Sequence, residues 1–189
     1  VTSGLKTYHG SHELKAEFVA RMQAHIAADE VMQGTGFERG RGCAVGCTYD
    51  EYDHALGPVR LGFPQWYEHW RDVVFEGLPE NEAPAWALAS LAAVPVGVDL
   101  EPIRWHLAIA RHERDLQLMG SEKGDYASQC RSAITRVIAY CKSQLEGQAT
   151  DHERSAAESA AESEAESAVR SAWQFERDTF LRLIARVGA

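Results

Sequence analysis

The sequence predicts an all-α fold: an irregular bundle of about six helices with a long C-terminal helix rich in Ala, Ser and Glu. Three observations predict it. Apolar residues recur at helical spacing in successive segments, Gly and Pro fall at the ends of those segments, and an Ala/Ser/Glu repeat follows them. With 189 residues, 45% of them hydrophobic, the chain can bury a core. Residues 1–150 read as a helical core domain. Residues 151–189 read as the long helix, with a polar first half and a docked apolar end.

The first helix is expected from Ser11, a good N-cap, with Leu14, Phe18, Met22, Ile26 and Met32 on one broad face and Gly34 and Gly36 as its end. A glycine-rich stretch from Gly34 to Gly46 follows, in which a helical turn begins at about Cys43. Residues 48–62 read as a loop with one short strand around Val59 to Leu61. Pro64 suits the start of a second helix that Gly77 and Pro79 close, with Trp66, Trp70, Val73 and Val74 as its buried stripe. Asn81 caps a third helix from Ala83 to Val94, and Pro95 and Gly97 stop it. Asp99 caps a fourth, in whose first turn Pro102 is tolerated. Ser121 to Gly147 forms a fifth, with Cys130 and Cys141 as small core residues. Thr150-Asp151-His152-Glu153 has the pattern of a capping box and opens the last helix, which runs to about Val187.

The segment from Ser155 to Ala168 is a four-residue repeat of small and acidic residues. Each repeated position drifts by about 40° per step around a helix, so no fixed apolar seam forms. Small side chains bury little area but let another backbone come close. The same region concentrates charge: six acids against Arg154 between Asp151 and Ser167, within a formal net charge of −9. That balance argues against nucleic acid or anionic lipid as partner, because both require a basic face. No apolar run reaches the ~20 residues that cross a bilayer, and the first ten residues lack the apolar core of a secretory leader. A cytoplasmic protein with free thiols is therefore expected.

Chemistry is suggested first by two ionisable residues on the opening helix. Relative to Leu14, His25 and Asp29 fall at about 20° and 60°, inside the stripe that Phe18 and Met22 define at about 40° and 80°. They are also an i, i+4 pair. Burial of an unpaired charge is costly, so they form a hydrogen-bonded core pair or a carboxylate-oriented imidazole. Next along the chain, glycines flank Cys43, and a helix starting there would lower its thiol pKa. Cys43 as nucleophile, His25 as base and Asp29 as orienter would make a thiol hydrolase or acyl transferase. Inert thiols in a tight packing turn explain the same residues. A zinc reading uses Cys43-x3-Cys47 with His25, Asp29, His54 or His9, although no second cysteine pair makes that pattern specific. No nucleotide-binding glycine loop, His-Glu-x-x-His or Gly-x-Ser-x-Gly occurs, and no cofactor is expected.

Several stretches together resemble a group of bacterial and phage or prophage proteins without assigned activity. These are Tyr8-His9-Gly10, the His25 to Asp29 helix, Gly40-x-Gly42-Cys43-Ala44-Val45-Gly46-Cys47-Thr48, Phe75-Glu76-Gly77-Leu78-Pro79, and the repetitive Ala/Ser-rich end with its apolar tail. The likeness covers nearly the whole chain and implies a phage or prophage context. Where relatives carry aromatic or basic residues in the repeat, this chain carries Glu. The leading expectation is a non-enzymatic helical protein that binds a protein partner or a second copy through the C-terminal helix, as a phage-encoded modulator of a host or defence protein would. The alternative is the cysteine-centred enzyme or the zinc site on the same residues.

Overall fold

The computed structural model describes residues 4–120, 125–148 and 171–187, and it is mainly helical. The helices are α1 (His12–Ala27), α2 (Ala44–Tyr49), α3 (Gln65–Gly77), α4 (Ala83–Ala92), α5 (Glu101–Met119), α6 (Asp125–Leu145) and α7 (Ser171–Val187). Two short strands, β1 (Phe37–Glu38) and β2 (Arg41–Gly42), pair antiparallel. The chain divides into two compact units: Thr2–Glu101 with Trp173–Ala189, and Pro102–Ala172. The break expected at residue 150 lies outside the described residues. No helix among the described residues is long and apolar enough to cross a membrane.

In the larger unit α1 packs on α2 and α4, and α3 packs on α2 and α4. Ser11 caps α1 by accepting the Leu14 N–H at 3.0 Å, as expected. The helix ends at Ala27, however, and does not continue to Gly34. Asp29 adopts a left-handed conformation (φ 58°), the Asp29 N–H donates to Ile26 O, and the Glu30 N–H donates to His25 O. This is the Schellman arrangement that normally takes Gly, here built on Asp, one of the few other residues that tolerates the left-handed region.

The glycine-rich stretch forms the β1–β2 hairpin, whose two-residue turn, Arg39 and Gly40, has positive φ at both positions. Its glycines are needed for backbone proximity. A Cβ on Gly46 would lie 1.9 Å from the Gly36 carbonyl oxygen, and one on Gly42 2.3 Å from it. Both atoms are main chain and cannot rotate away. We expect Gly46→Ala to cost ~3 kcal/mol or more in urea unfolding, at the upper end of overpacking effects; a loss below ~1 kcal/mol would show that the turn can shift.

No strand forms at Val59 to Leu61. Gly57–Leu61 is a single wide helical turn, closed by left-handed Gly62 and the Phe63 N–H donating to Gly57 O. Helix α3 also departs from its expected stripe. Val74 is buried, but Val73 is 46% exposed and Trp66 and Trp70 are only half-buried. The buried face is instead Tyr67, Glu68, Arg71, Asp72, Val74 and Phe75. Charged residues enter the core there because they satisfy one another. Arg71 donates to Glu68 Oε2 (2.8 Å), Thr48 Oγ1 (3.0 Å) and Ser90 Oγ (3.4 Å), while Tyr49 Oη donates to Glu68 Oε1 at 2.7 Å.

Helix α7 closes this unit with Phe180 and Ile184, both fully buried. The Phe180 ring lies 5.0 Å from that of Trp70 and 5.3 Å from that of Tyr67. Arg177 pairs with Glu82. The expected start of a long helix at residue 150, and the whole Ser155 to Ala168 repeat, lie outside the described residues.

In the other unit, Ala133, Val137 and Cys141 of α6 form a small core with Trp105, Ala108 and Ile109 of α5 and with Tyr140. Cys141 is buried and Cys130 half-buried, and all four cysteines are free.

Candidate functional site

The Schellman turn at the end of α1 decides what His25 meets. By reversing the chain at Asp29, it brings Glu30 back over the last turn, where Glu30 Oε2 lies 2.7 Å from His25 Nδ1. His25 Nε2 faces Asp50 Oδ1 at 3.4 Å. Both ring nitrogens are therefore engaged by carboxylates, and the ring edge packs on Phe37. Asp29 is exposed, and its backbone carbonyl accepts a hydrogen bond from Arg41 at 3.0 Å. The expected His25–Asp29 pair does not form, because helical spacing no longer applies once the helix has ended.

The two neighbouring sulfurs face different partners. Cys47 is fully buried and its Sγ donates to Gly42 O at 3.3 Å and Glu30 O at 3.8 Å. Burial pushes its thiol up to about 11. Cys43 is the N-cap of α2: its Sγ accepts the Gly46 N–H at 3.4 Å, and its own N–H donates to Thr35 O and Gly36 O. It is 1% exposed. Burial pushes the Cys43 thiol well above the ordinary range, and the neighbouring Asp72 charge pushes it further the same way. Helix α2 spans only six residues, and its N-terminus does not offset these effects.

What surrounds Cys43 comes from α3. Asp72 and Glu76 are an i, i+4 pair, and one donor atom from each of Cys43, Asp72 and Glu76 lies within 4.8 Å of the other two. Asp72 is 5% exposed. Its Oδ2 accepts from Tyr52 Oη at 3.1 Å and lies 3.2 Å from His54 Nε2, whereas its Oδ1 has no hydrogen-bond partner. His54 stacks on His69 with ring centroids 4.0 Å apart. Burial raises Tyr52 to about 12, and Asp72 adds to that shift. Glu76 accepts the Gly34 N–H at 2.9 Å, and partial burial followed by the Asp72 charge raises its carboxyl despite that bond. Gln33 anchors the same loop by donating to Phe75 O (2.6 Å) and Leu78 O (2.9 Å).

Of the residues singled out in the sequence, then, Cys43 stands in a chemically dense cluster, while His25 and Asp29 do not join it. His9 is also elsewhere, with Nε2 3.0 Å from Val59 O. His54 borders the cluster through Asp72. Asp72 and Tyr52 were missed, and Glu76 reads as a solvated helix end when taken alone. A usable signal was present in the carboxylates at 68, 72 and 76, which follow one face of α3 at four-residue steps. A separate cavity of ≈ 150 Å³ is lined by residues that include Asp29, Met32, Gln33, Arg41, Phe75 and Glu80 and contains neither Cys43 nor His25. Compared with models of protein families, with curated proteins and with solved structures, the chain matches none.

Proposed function

We propose that this protein is a non-enzymatic helical binding protein in which the Cys43 and Cys47 thiols serve architecture, not nucleophilic catalysis. The observation that carries the reading is the environment of Cys43. A nucleophilic cysteine works as a thiolate, which requires a nearby cation, a base or an effective helix N-terminus. Here the sulfur is buried beside a carboxylate, and the histidine assigned as its base is held by Glu30 and Asp50. The surface assigned to the partner is the Ser155 to Ala168 repeat, whose small side chains allow close approach and whose acids favour a partner with basic residues. With the likeness to phage and prophage proteins, the role that fits is modulation of a host or defence protein.

Iodoacetamide labelling of the native full chain tests the first part. Cys43 and Cys47 are expected to stay unlabelled at neutral pH while the unfolded chain is labelled fully. Labelling of native Cys43 faster than an ordinary thiol, slowed by His25→Ala, would restore the enzyme reading. Deletion of Ser155–Ser167 tests the second part. Loss of self-association, or of a defined host-protein complex, is expected; unchanged binding would remove the repeat from the interface.

A further inference from the structure

We propose that Cys43, Asp72 and Glu76 form a binding site for one divalent transition-metal ion of the zinc class. The argument begins with the unused buried oxygen. Asp72 is nine-tenths buried, and Tyr52 and His54 both address Oδ2, leaving Oδ1 without a hydrogen-bond partner. A buried polar atom left in this way is costly and needs a partner. Around it stand the Cys43 thiol, whose S–H is its only local donor among the described residues and is directed at Asp72, and a second carboxylate, Glu76, with ligand atoms of the three residues all within 4.8 Å. The two carboxylates repel each other across the cluster, and a cation satisfies all three ligand atoms at once.

The donor types narrow the choice of ion. One sulfur with two carboxylate oxygens is a mixed set that suits Zn²⁺ and its spectroscopic stand-in Co²⁺, and disfavours Mg²⁺ or Ca²⁺, which take oxygen only. Bond lengths of about 2.0–2.3 Å imply donors roughly 3.3–3.7 Å apart around a tetrahedral ion, so a cluster whose atoms lie within 4.8 Å of one another contracts by at most about 1.5 Å. Glu76 is exposed and its long side chain supplies that movement. On binding, the Cys43 S–H bond breaks, the sulfur coordinates as thiolate and the proton leaves to solvent.

The residues behind the ligands fit the same role. His54 and Tyr52 grip Asp72 by Oδ2, which aims the other oxygen, and the Gly34 N–H holds Glu76 through Oε2. Ligating carboxylates are commonly oriented by outer partners of this kind. Solvent completes the fourth position from the Glu76 side, the exposed edge of the cluster. The set excludes Cys47, whose sulfur is already committed to two backbone carbonyls.

Cobalt titration of the full reduced chain is the direct test. One equivalent of Co²⁺ is expected to give a near-ultraviolet sulfur-to-cobalt band that Zn²⁺ bleaches, with proton release detectable in weak buffer. Cys43→Ser is expected to abolish the band. Because Cys43 also caps α2, Glu76→Gln serves as the second variant: it is exposed, keeps its shape and is expected to weaken Zn²⁺ binding by at least about tenfold, as loss of a supporting group typically does. His54→Ala is expected to weaken binding while leaving the band in place, which separates a positioning residue from a ligand. Absence of the band in the folded wild-type chain, its survival in Cys43→Ser, or equal Zn²⁺ affinity in wild type and Glu76→Gln would each overturn the site. Failure here leaves the labelling result for Cys43 unaffected, so the two readings are judged separately.

Discussion

Arg71→Leu is expected to destabilise the protein by about 3–5 kcal/mol, the range found when one partner of a buried ion pair is removed. Arg71 and Glu68 are both fully buried. Removing the guanidinium leaves the Glu68 carboxylate with Tyr49 as its remaining short hydrogen bond, and withdraws the donor from Thr48 and Ser90. Most of the cost is the stranded charge, not the lost attraction. The double variant Arg71→Leu, Glu68→Leu should therefore recover a large part of the loss, since well-packed apolar residues often replace such pairs at little cost. Urea unfolding of the wild type, both single variants and the double variant completes the cycle. A single-variant loss below about 1 kcal/mol, or no recovery in the double variant, would mean that the pair is not stabilised as its geometry indicates.

The second large effect concerns the end of the chain. Phe180→Ala is expected to cost about 3–5 kcal/mol, as for other fully buried aromatic residues. The ring meets Tyr67, Trp70 and Trp86, so its removal leaves a cavity bounded by large side chains that cannot close around it without moving α3 and α4. Substitution at exposed Val187 on the same helix should change stability by less than about 0.5 kcal/mol. If α7 were only loosely attached, both variants would behave alike. A selective gain in protease cleavage near the C-terminus of Phe180→Ala, with the remainder intact, would locate the loss at α7.

How far the sequence reached is clearest on α3. Pro64, Gly77 and Pro79 delimit it correctly, because those residues act within a turn of where they stand. Its buried face was read wrongly, since a hydrophobic stripe counts Glu68, Arg71 and Asp72 as surface residues. Burial of Glu68 and Arg71 becomes possible only when Tyr49, Thr48 and Ser90, from elsewhere in the chain, complete their hydrogen bonds, and that of Asp72 when Tyr52 and His54 meet its Oδ2. The first helix shows the same limit at shorter range. Ser11 announces its start, but Asp29 in place of glycine conceals its end, and with it the exchange of Asp29 for Glu30 as the partner of His25.

The mainly helical class, most helix boundaries and the close-packed glycine turn around Cys43 follow from local rules, because propensity, capping and backbone sterics operate between residues a few positions apart. Which groups face the Cys43 sulfur depends on long-range packing. Asp72 and Glu76 reach the sulfur through the packing of α3 against α2, while Tyr52 and His54 in the loop between them hold Asp72, and no periodicity within one segment encodes the side on which another segment will arrive.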